Sequence, residues 1–292
     1  MRVLQLSDTH LGAKLRVEGA PKGWSRHEDH LAALDAALAL VDQVDLVVHA
    51  GDLFDSASPP AEVVEQAVDR LTAVAARVPV LIIPGNHERN GLTGLLPCDA
   101  SGLTVADGAR RLSVAGLTVG LVPFERDAGR WAHASRVAVG AGVDLLVHHQ
   151  GVDGARVPGY TFRSTRHSDV IATPHIPEGV RWMASGHIHL HQCVPGPGWS
   201  AVYAGSTERS AFVEGPQAKG AVLWDFEEDV RWRFVPLGAR PMRELHALSD
   251  LRGVEMGELV LVRESAWVQA ALDAGAWVVR GRRLKPRGPG RR

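Results

Sequence analysis

The chain of 292 residues has little cysteine, no long hydrophobic run and almost no net charge. Its two cysteines, Cys98 and Cys193, are too few for a disulfide framework, so packing has to stabilise the core. The longest apolar runs, such as residues 38–41, are far shorter than a membrane-spanning helix. The amino terminus lacks the layout of a signal peptide, and we therefore expect a cytoplasmic protein that does not bind a membrane.

Charge and histidine content narrow the function classes further. The 32 basic and 33 acidic residues nearly balance, so no overall positive field indicates nucleic acid. Only four basic residues are lysines, and this preference for arginine means that a single arginine carries little functional information. The 14 histidines are the unusual feature, because histidine is the commonest metal ligand and a frequent acid or base.

Alternating strands and helices are predicted in the first part of the chain, and mostly strands after it. The early elements are a strand at residues 3–6, a helix at 25–43, a strand at 44–48, a helix at 61–77 and a strand at 80–83. The later strands are predicted at residues 111–115, 117–122, 144–148, 180–185, 201–204, 221–226, 230–235 and 259–262, with a helix near 267–274. This order favours two packed sheets flanked by helices.

Five polar clusters each follow a predicted strand. They are Asp-Thr-His at residues 8–10, Gly-Asp-Leu-Phe-Asp at 51–55, Gly-Asn-His-Glu at 85–88, His-His-Gln at 148–150 and Gly-His-Ile-His at 186–189. Ligands of open α/β sheets bind at the carboxyl ends of the strands, so we expect these clusters to converge. One cluster alone would be a weak signal, since short motifs match by chance, but five in the same topological place indicate a functional site.

The donor types in these clusters suit a pair of divalent metal ions. Carboxylate oxygens and imidazole nitrogens match manganese, iron or zinc, whereas the lack of thiolates argues against a structural zinc site. A carboxylate at a strand end can bridge two ions that lie roughly 3.5–4 Å apart. His187 and His189 face the same way if the segment is extended, so their imidazoles can reach neighbouring ions.

The ordered motifs D-x-H, G-D-x-x-D, G-N-H-E, H and G-H-x-H resemble those of the calcineurin-like metallophosphoesterase family. Four longer stretches resemble its SbcD-type DNA-repair nuclease branch: A-G-D-L-F-D at residues 50–55, H-Q-G at 149–151, G-H-I-H-x-H-Q at 186–192 and G-S-x-E-R-S-x-F-x-E at 205–214. The resemblance extends from residue 2 to about residue 242. It implies a four-layer α/β/β/α sandwich of two mixed sheets flanked by helices.

The same resemblance implies a division of the chain at residue 242. Residues 1–242 would form the metallophosphoesterase domain. Residues 243–292 would form a short C-terminal extension with a basic tail, without the full DNA-capping domain that is usual in the SbcD-type branch.

Two sets of metal ligands that share a bridging carboxylate are implied by the resemblance. The set for one ion comprises Asp8, His10, His189 and the bridging Asp52. The set for the other ion comprises Asp52, Asn86, His187 and a histidine of the fourth cluster. Similarity to the H-Q pattern favours His149 for that last position, and the sequence alone does not exclude His148.

For catalysis, the resemblance implies His87 as the general acid that protonates the leaving group, and Asp55 as the carboxylate that pairs with His87. The implied cofactors are two divalent ions, Mn²⁺ first and iron or zinc as alternatives. A hydroxide that bridges the two ions would attack the phosphodiester.

Three functions follow from these observations. The first is a DNA exonuclease or endonuclease in DNA repair, with DNA as substrate, an SbcC-type ATPase as partner, and a homodimer as the assembly. The second is a small-substrate phosphodiesterase or phosphatase with the same metal centre, which the near-neutral charge and the missing cap favour. The third, a non-catalytic scaffold, is disfavoured because every expected ligand type is present.

Overall fold

Two six-stranded sheets form the centre of the structure, a computed structural model that describes residues 1–88, 91–97 and 102–281. In chain order the strands are β1 (Arg2–Leu6), β2 (Leu46–His49), β3 (Val80–Ile82), β4 (Leu103–Val105), β5 (Arg110–Val114), β6 (Leu117–Val122), β7 (Leu145–His149), β8 (Arg156–Val157), β9 (Tyr160–Thr161), β10 (Trp182–Gly186), β11 (Gln192–Gly196), β12 (Trp199–Tyr203), β13 (Gly220–Phe226), β14 (Val230–Pro236), β15 (Met242–Glu244), β16 (Leu259–Val262) and β17 (Trp277–Arg280). The helices are α1 (Arg26–Leu38), α2 (Ala61–Ala75), α3 (Ala128–Val139) and α4 (Val268–Asp273). Among these described helices, none has both the length and the apolar character that a membrane crossing needs.

Both large sheets are mixed. The first has the order β14-β13-β1-β2-β3-β4, in which β1 to β4 are parallel and β13 and β14 are antiparallel to their neighbours. The second has the order β11-β12-β10-β7-β6-β5, in which the four central strands are parallel and the two edge strands are antiparallel. The parallel strands of each sheet therefore bring their carboxyl ends to one edge.

The core has four layers because the central strands are buried on both faces. In β1, Leu4 and Leu6 pack with the apolar faces of α1 and α2, whereas Val3 packs between the two sheets. This alternation follows from the period of two in a strand. On the far side, Trp131 and Ala138 of α3 cover the second sheet. The predicted sandwich of two mixed sheets flanked by helices is confirmed.

Several elements differ from the sequence-based prediction. The helix predicted at residues 25–43 ends at Leu38, and a separate 3₁₀ turn (Val41–Gln43) follows it. Strand β7 extends to His149, one residue beyond its predicted end. The prediction omits α3, because the buried stripe of this helix consists largely of alanine and serine and gives a weak periodic signal. Short strands such as β4 and β11 are omitted for a similar reason, since three to five residues hold too little pattern.

Residues 242–281 form a small unit in which β15, β16 and β17 make a parallel sheet. The predicted strand at 259–262 corresponds to β16, and the helix predicted near 267–274 corresponds to α4. Met242 and Leu259 of this unit pack against Leu15 and Val17, which belong to the loop that follows β1. The basic tail predicted beyond Arg280 lies outside the described residues from position 282 onward.

Arg240 joins this small unit to the sandwich. Its guanidinium donates to both carboxylate oxygens of Asp29, at 2.7 and 2.6 Å, and to the carbonyl of Gly257 at 3.0 Å. The same guanidinium lies 4.3 Å from the ring centroid of Trp277 and 5.6 Å from that of Trp24. Burial alone would raise the pKa of Asp29, but the hydrogen bonds from Arg240 and from Arg26 hold it below its ordinary value.

We expect Arg240→Ala to lower the free energy of unfolding by roughly 2–3 kcal/mol, because it removes charged hydrogen bonds and a cation–π contact at once. Urea denaturation measures this change. The matched control is Arg70→Ala, whose ion pair with Asp35 is solvated, with side chains 29% and 50% exposed. The control should cost less than about 1 kcal/mol. Equal losses in the two variants would contradict the role of Arg240.

Candidate metal centre

The five polar clusters converge at the carboxyl ends of β1, β2, β3, β7 and β10. The donor atoms of Asp8, His10 and His189 all lie within 4.8 Å of one another, and so do those of Asp8, Asp52 and His149. The strand order explains this convergence, since β1, β2 and β3 are neighbours in one sheet and β7 and β10 are neighbours in the other.

Four of the predicted ligands adopt a backbone conformation that side chains rarely take. In the described chain, five residues other than glycine have a positive φ, and four of them belong to the predicted ligand set: Asp8 (51°), His10 (50°), Asp52 (55°) and His187 (84°). Such residues cost of the order of 1 kcal/mol each and persist where the surroundings over-determine them. They turn the side chains sharply at the strand ends, toward the space between the clusters.

The predicted first set surrounds His189. Nε2 of His189 lies 3.1 Å from Nε2 of His10 and 3.8 Å from Oδ1 of Asp8. The carboxylate of Asp8 also accepts the backbone N–H of His187, with both oxygens at 3.1 Å, which ties the first cluster to the fifth. All three members of this predicted set are therefore in one place.

The predicted second set surrounds Asn86. Its Oδ1 lies 2.8 Å from Nδ1 of His187 and 3.0 Å from Nε2 of His149. Asp52 lies between the two sets, since its Oδ2 is 3.3 Å from Nε2 of His149 and 3.9 Å from Nε2 of His10. This is the location that a bridging carboxylate requires.

The structure separates the two histidines of the fourth cluster, which the sequence left as alternatives. His149 faces the cluster, whereas His148 faces the opposite side of β7, because consecutive residues of a strand alternate. Nε2 of His148 lies 2.8 Å from the hydroxyl of Ser185, and its ring packs against Trp131. The geometry therefore favours His149 as the ligand.

Two glycines allow the close approach of His149. A Cβ atom on Gly51 would lie 2.4 Å from Nδ1 of His149, and one on Gly186 would lie 2.8 Å from the same atom. Nδ1 itself donates to the carbonyl of Ala50 at 2.6 Å. In the neutral ring Nε2 is then an acceptor, which faces the further acceptor oxygens of Asn86 and Asp52.

Burial and mutual charge set the protonation of the cluster. Burial lowers the pKa of His187 to about 3, and burial together with the nearby His189 holds the pKa of His10 well below its ordinary value. Burial opposes protonation of His149 too, but the carboxylate of Asp52 outweighs it and raises the pKa of His149 to about 9. In turn His149 overcomes the effect of burial and holds the pKa of Asp52 far below its usual range.

The residues of the cluster fit divalent cations. Nitrogen and oxygen lone pairs face each other at 2.8–3.9 Å with too few protons to bridge them. Carboxylate, amide and imidazole are ligand types that manganese, iron and zinc accept. The glycine cradle and the left-handed turns show that the backbone is shaped to bring these donors together.

His87 and Asp55 are in contact, but not through the carboxylate that the resemblance implies. Nδ1 of His87 donates to the backbone carbonyl of Asp55 at 2.8 Å. The carboxylate of Asp55 instead lies 3.6 Å from Nδ1 of His10. Either pairing places a proton on Nδ1 of His87, so Nε2 of His87 is left free for another partner.

Glu88 is the residue whose role the sequence left open between orienting the backbone and being solvated. The side chain is buried and accepts three backbone N–H groups, from Gly85 at 2.8 Å, Asp52 at 3.1 Å and Phe54 at 2.7 Å. Burial and the charge of Asp52 raise the pKa of Glu88 to about 7. Glu88 therefore holds the loop after β2 against the loop after β3.

Two further features of the site are absent from the prediction. Phe124 packs beside the second set, with its ring centroid 5.7 Å from that of His187. Glu214 lies 3.0 Å from Nδ1 of His189 and contacts the buried Lys219. Glu214 ends the motif at residues 205–214, which was the available signal, whereas nothing in the sequence around Phe124 distinguishes it.

We expect Glu88→Ala to lower the free energy of unfolding by about 3 kcal/mol, because three buried N–H groups lose their acceptor. Urea denaturation in the presence of a chelator measures the change without interference from metal ions. The matched control is Glu65→Ala on the exposed face of α2, which should stay within about 0.5 kcal/mol of the parent protein. If both variants are equally stable, the proposed bracing of the two loops is wrong.

Comparisons with known proteins agree with this geometry. The chain is 26% identical to the SbcD component of the nuclease SbcCD of Bacillus subtilis, an alignment that covers 95% of this chain and 78% of that protein. It is 25% identical to "DNA double-strand break repair protein Mre11" of Saccharolobus solfataricus, over 79% of this chain and 61% of that protein. With Mre11 of Halobacterium salinarum the identity is 38%, over 30% of this chain and 22% of that protein. The chain thus spans less than two thirds of these two Mre11 proteins.

The family model described as calcineurin-like phosphoesterase matches residues 1–191, the part of the chain that supplies every predicted metal ligand. With its two mixed sheets and the cluster at their shared edge, the chain belongs to the calcineurin-like phosphoesterase family.

Proposed function

We propose that this phosphoesterase hydrolyses phosphodiester bonds of DNA in repair, with two divalent ions held by the cluster at the sheet edges. The observation that carries the proposal is the position of Asp52 between two sets of nitrogen and oxygen donors. The similarity to proteins named as part of a nuclease and as a double-strand break repair protein supports DNA as the substrate.

Each ion has its own set of ligands in this proposal. Asp8, His10 and His189 hold one ion, and a second set holds the other, with Asp52 common to both. The second set consists of Asn86, His149 and His187. Mn²⁺ is the proposed ion, with iron or zinc as alternatives, because hard carboxylate and borderline imidazole donors are mixed. Bound divalent ions neutralise the phosphate charge and lower the pKa of a water molecule toward neutrality.

The residues around the ions orient the substrate and supply a proton. Nδ1–H of His87 is held by the carbonyl of Asp55, so the proton for the leaving alkoxide comes from Nε2 of the protonated ring. His87 is only partly buried, which leaves Nε2 within reach of a substrate. Charge develops on the departing oxygen in an in-line displacement, and a proton donor at that position lowers the barrier.

The aromatic rings of Phe124 and Phe162 form one wall of the site. Their centroids lie 5.7 and 6.2 Å from that of His187. Bases of an unpaired strand stack on such rings without sequence preference. This wall supports a polynucleotide as the substrate.

A division of labour along the chain goes with this function. Residues 1–242 are the proposed metallophosphoesterase domain, and residues from 243 onward are the proposed C-terminal extension. Because one relative is, by its name, one part of the nuclease SbcCD, an SbcC-type ATPase and a second copy of this chain are the proposed partners.

The second candidate is a small-substrate phosphodiesterase or phosphatase with the same ligands. The balance of 32 basic against 33 acidic residues favours it, because a polyanionic substrate usually meets a basic surface. The two candidates differ only in what the site admits, so one assay separates them.

We expect the manganese-loaded protein to release nucleotides from linear DNA and to denature at a higher temperature than the chelator-treated protein, because an ion that binds the native state stabilises it. The substrates are single-stranded DNA, duplex DNA with defined ends, and bis-p-nitrophenyl phosphate. Asp52→Asn is the inactive control. Turnover of the small ester alone would overturn the nuclease proposal, and a melting temperature that metal does not change would overturn the metal centre.

We expect His87→Ala to keep its manganese and to lose a factor of roughly 10²–10⁴ in kcat, because a general acid contributes to turnover and not to metal binding. Metal content and DNA hydrolysis are measured on the same preparation. His133→Ala, which removes an exposed histidine of α3, is the control and should retain full activity. Loss of metal together with activity would make His87 a ligand or a structural residue instead.

A further inference from the structure

A buried ion pair lies directly behind His189. Oε1 of Glu214 is 3.0 Å from Nδ1 of His189, and Oε2 of Glu214 is 2.8 Å from Nζ of Lys219. Oε2 also accepts the backbone N–H of Ser210 at 3.0 Å. The Lys219 side chain is fully buried, although lysine is among the residues least often found in a protein interior.

The ammonium of Lys219 uses all of its protons within this arrangement. Besides Glu214, Nζ donates to the backbone carbonyl of His189 at 3.0 Å and to Oε1 of Gln217 at 3.1 Å. An ammonium group has three protons, so no further partner is needed. Lys219 therefore contacts His189 twice, once through its carbonyl and once through the carboxylate that holds its ring.

Stability alone does not account for such a pair. Removing two charges from water costs several kcal/mol per ion, and a well-packed apolar pair of the same volume is often as stable or more stable. What the pair does provide is orientation. Because the Glu214 carboxylate can only accept, Nδ1 of His189 carries the proton, and the Nε2 lone pair faces Asp8 and His10.

The other predicted histidine ligands are held differently in the described structure. His149 is oriented by a backbone carbonyl, that of Ala50, and His187 contacts the amide of Asn86. Nδ1 of His10 has no hydrogen-bond partner among the described residues, since the nearest carboxylate oxygen, on Asp55, is 3.6 Å away. Only His189 in this set combines a carboxylate at hydrogen-bond distance with an ammonium behind it.

We propose that Glu214 and Lys219 are positioning residues that hold His189 for one of the two ions, a role that rests on the proposed metal centre. The pair acts on the ion bound by Asp8, His10 and His189 and leaves the other ion unaffected. Outer carboxylates of this kind change metal affinity by about 10–100-fold when they are removed.

Isothermal titration with Mn²⁺ tests the proposal on the full chain. The parent protein should bind two ions. In Glu214→Gln, the side chain keeps its size, but its amide group faces the Lys219 ammonium, so we expect one of the two affinities to fall about 10–100-fold and the other to stay. Raising the Mn²⁺ concentration should restore kcat to within a few-fold, because His189 still reaches a bound ion.

Lys219→Met and the double variant Glu214→Gln/Lys219→Met show whether the pair acts as a unit. Lys219→Met leaves a buried carboxylate unpaired and should weaken the same ion. The double variant should lose less than the sum of the two single losses, because residues that share one contact network are not additive. Circular dichroism in a chelator shows that each variant folds, and Glu214→Gln carries the test if Lys219→Met does not fold.

Glu258→Gln is the matched control, because Glu258 is also a buried carboxylate paired with a cation, at 2.6 Å from Nε of Arg243. This variant should keep both manganese affinities. The proposal is overturned if Glu214→Gln binds both ions as the parent does, if both affinities fall equally, or if the parent binds no ion. If the parent binds two ions with the expected Glu214 effect but does not cleave DNA, only the nuclease proposal fails.

Discussion

The structure depends on one electrostatic constraint, which is that carboxylates and imidazole lone pairs are gathered at the edges of two packed sheets where little water can solvate them. Asp8, Asp52 and His149 are all nearly inaccessible, and their donor atoms lie within 4.8 Å of one another. Without a compensating cation such a cluster repels itself, as the raised pKa of Asp8, which burial causes, indicates. The rest of the local architecture can be understood as the means of keeping these groups together.

Backbone hydrogen bonds do most of that work. Glu88 accepts three N–H groups from two loops, and the carboxylate of Asp52 accepts the backbone N–H of His87 at 2.9 Å. Asp8 likewise accepts the N–H of His187. Carboxylates thus fix the loops as well as facing the centre, and the left-handed residues at the strand ends are over-determined by these contacts. A site built on main-chain contacts tolerates changes in the surrounding side chains better than one built on side-chain packing.

The convergence of the five clusters could be predicted from the sequence, because it needs only the strand ends and the rule that parallel strands share an edge. The choice between His148 and His149 could not, since it depends on where β7 begins and hence on which residues face the second sheet. The pairing of His87 with the carbonyl of Asp55 was also out of reach, because sequence motifs specify side chains and not main-chain acceptors. Helix α3 lacks the apolar stripe that identifies a helix, although the carboxylate of Asp127 marks its start.

The pair behind His189 was hidden for another reason, which is its separation of 25 to 30 residues from that ligand along the chain. The segment that carries Glu214 also contacts the C-terminal unit. Arg209 donates to the carbonyls of Ala239 and Arg240 at 3.0 and 2.8 Å, and Glu208 accepts the backbone N–H of Arg240 at 2.8 Å. A displacement of residues 242–281 would therefore act on the same segment that orients His189. The small parallel sheet and the candidate metal centre share one support, and the docking of the sheet contributes to the geometry of the centre.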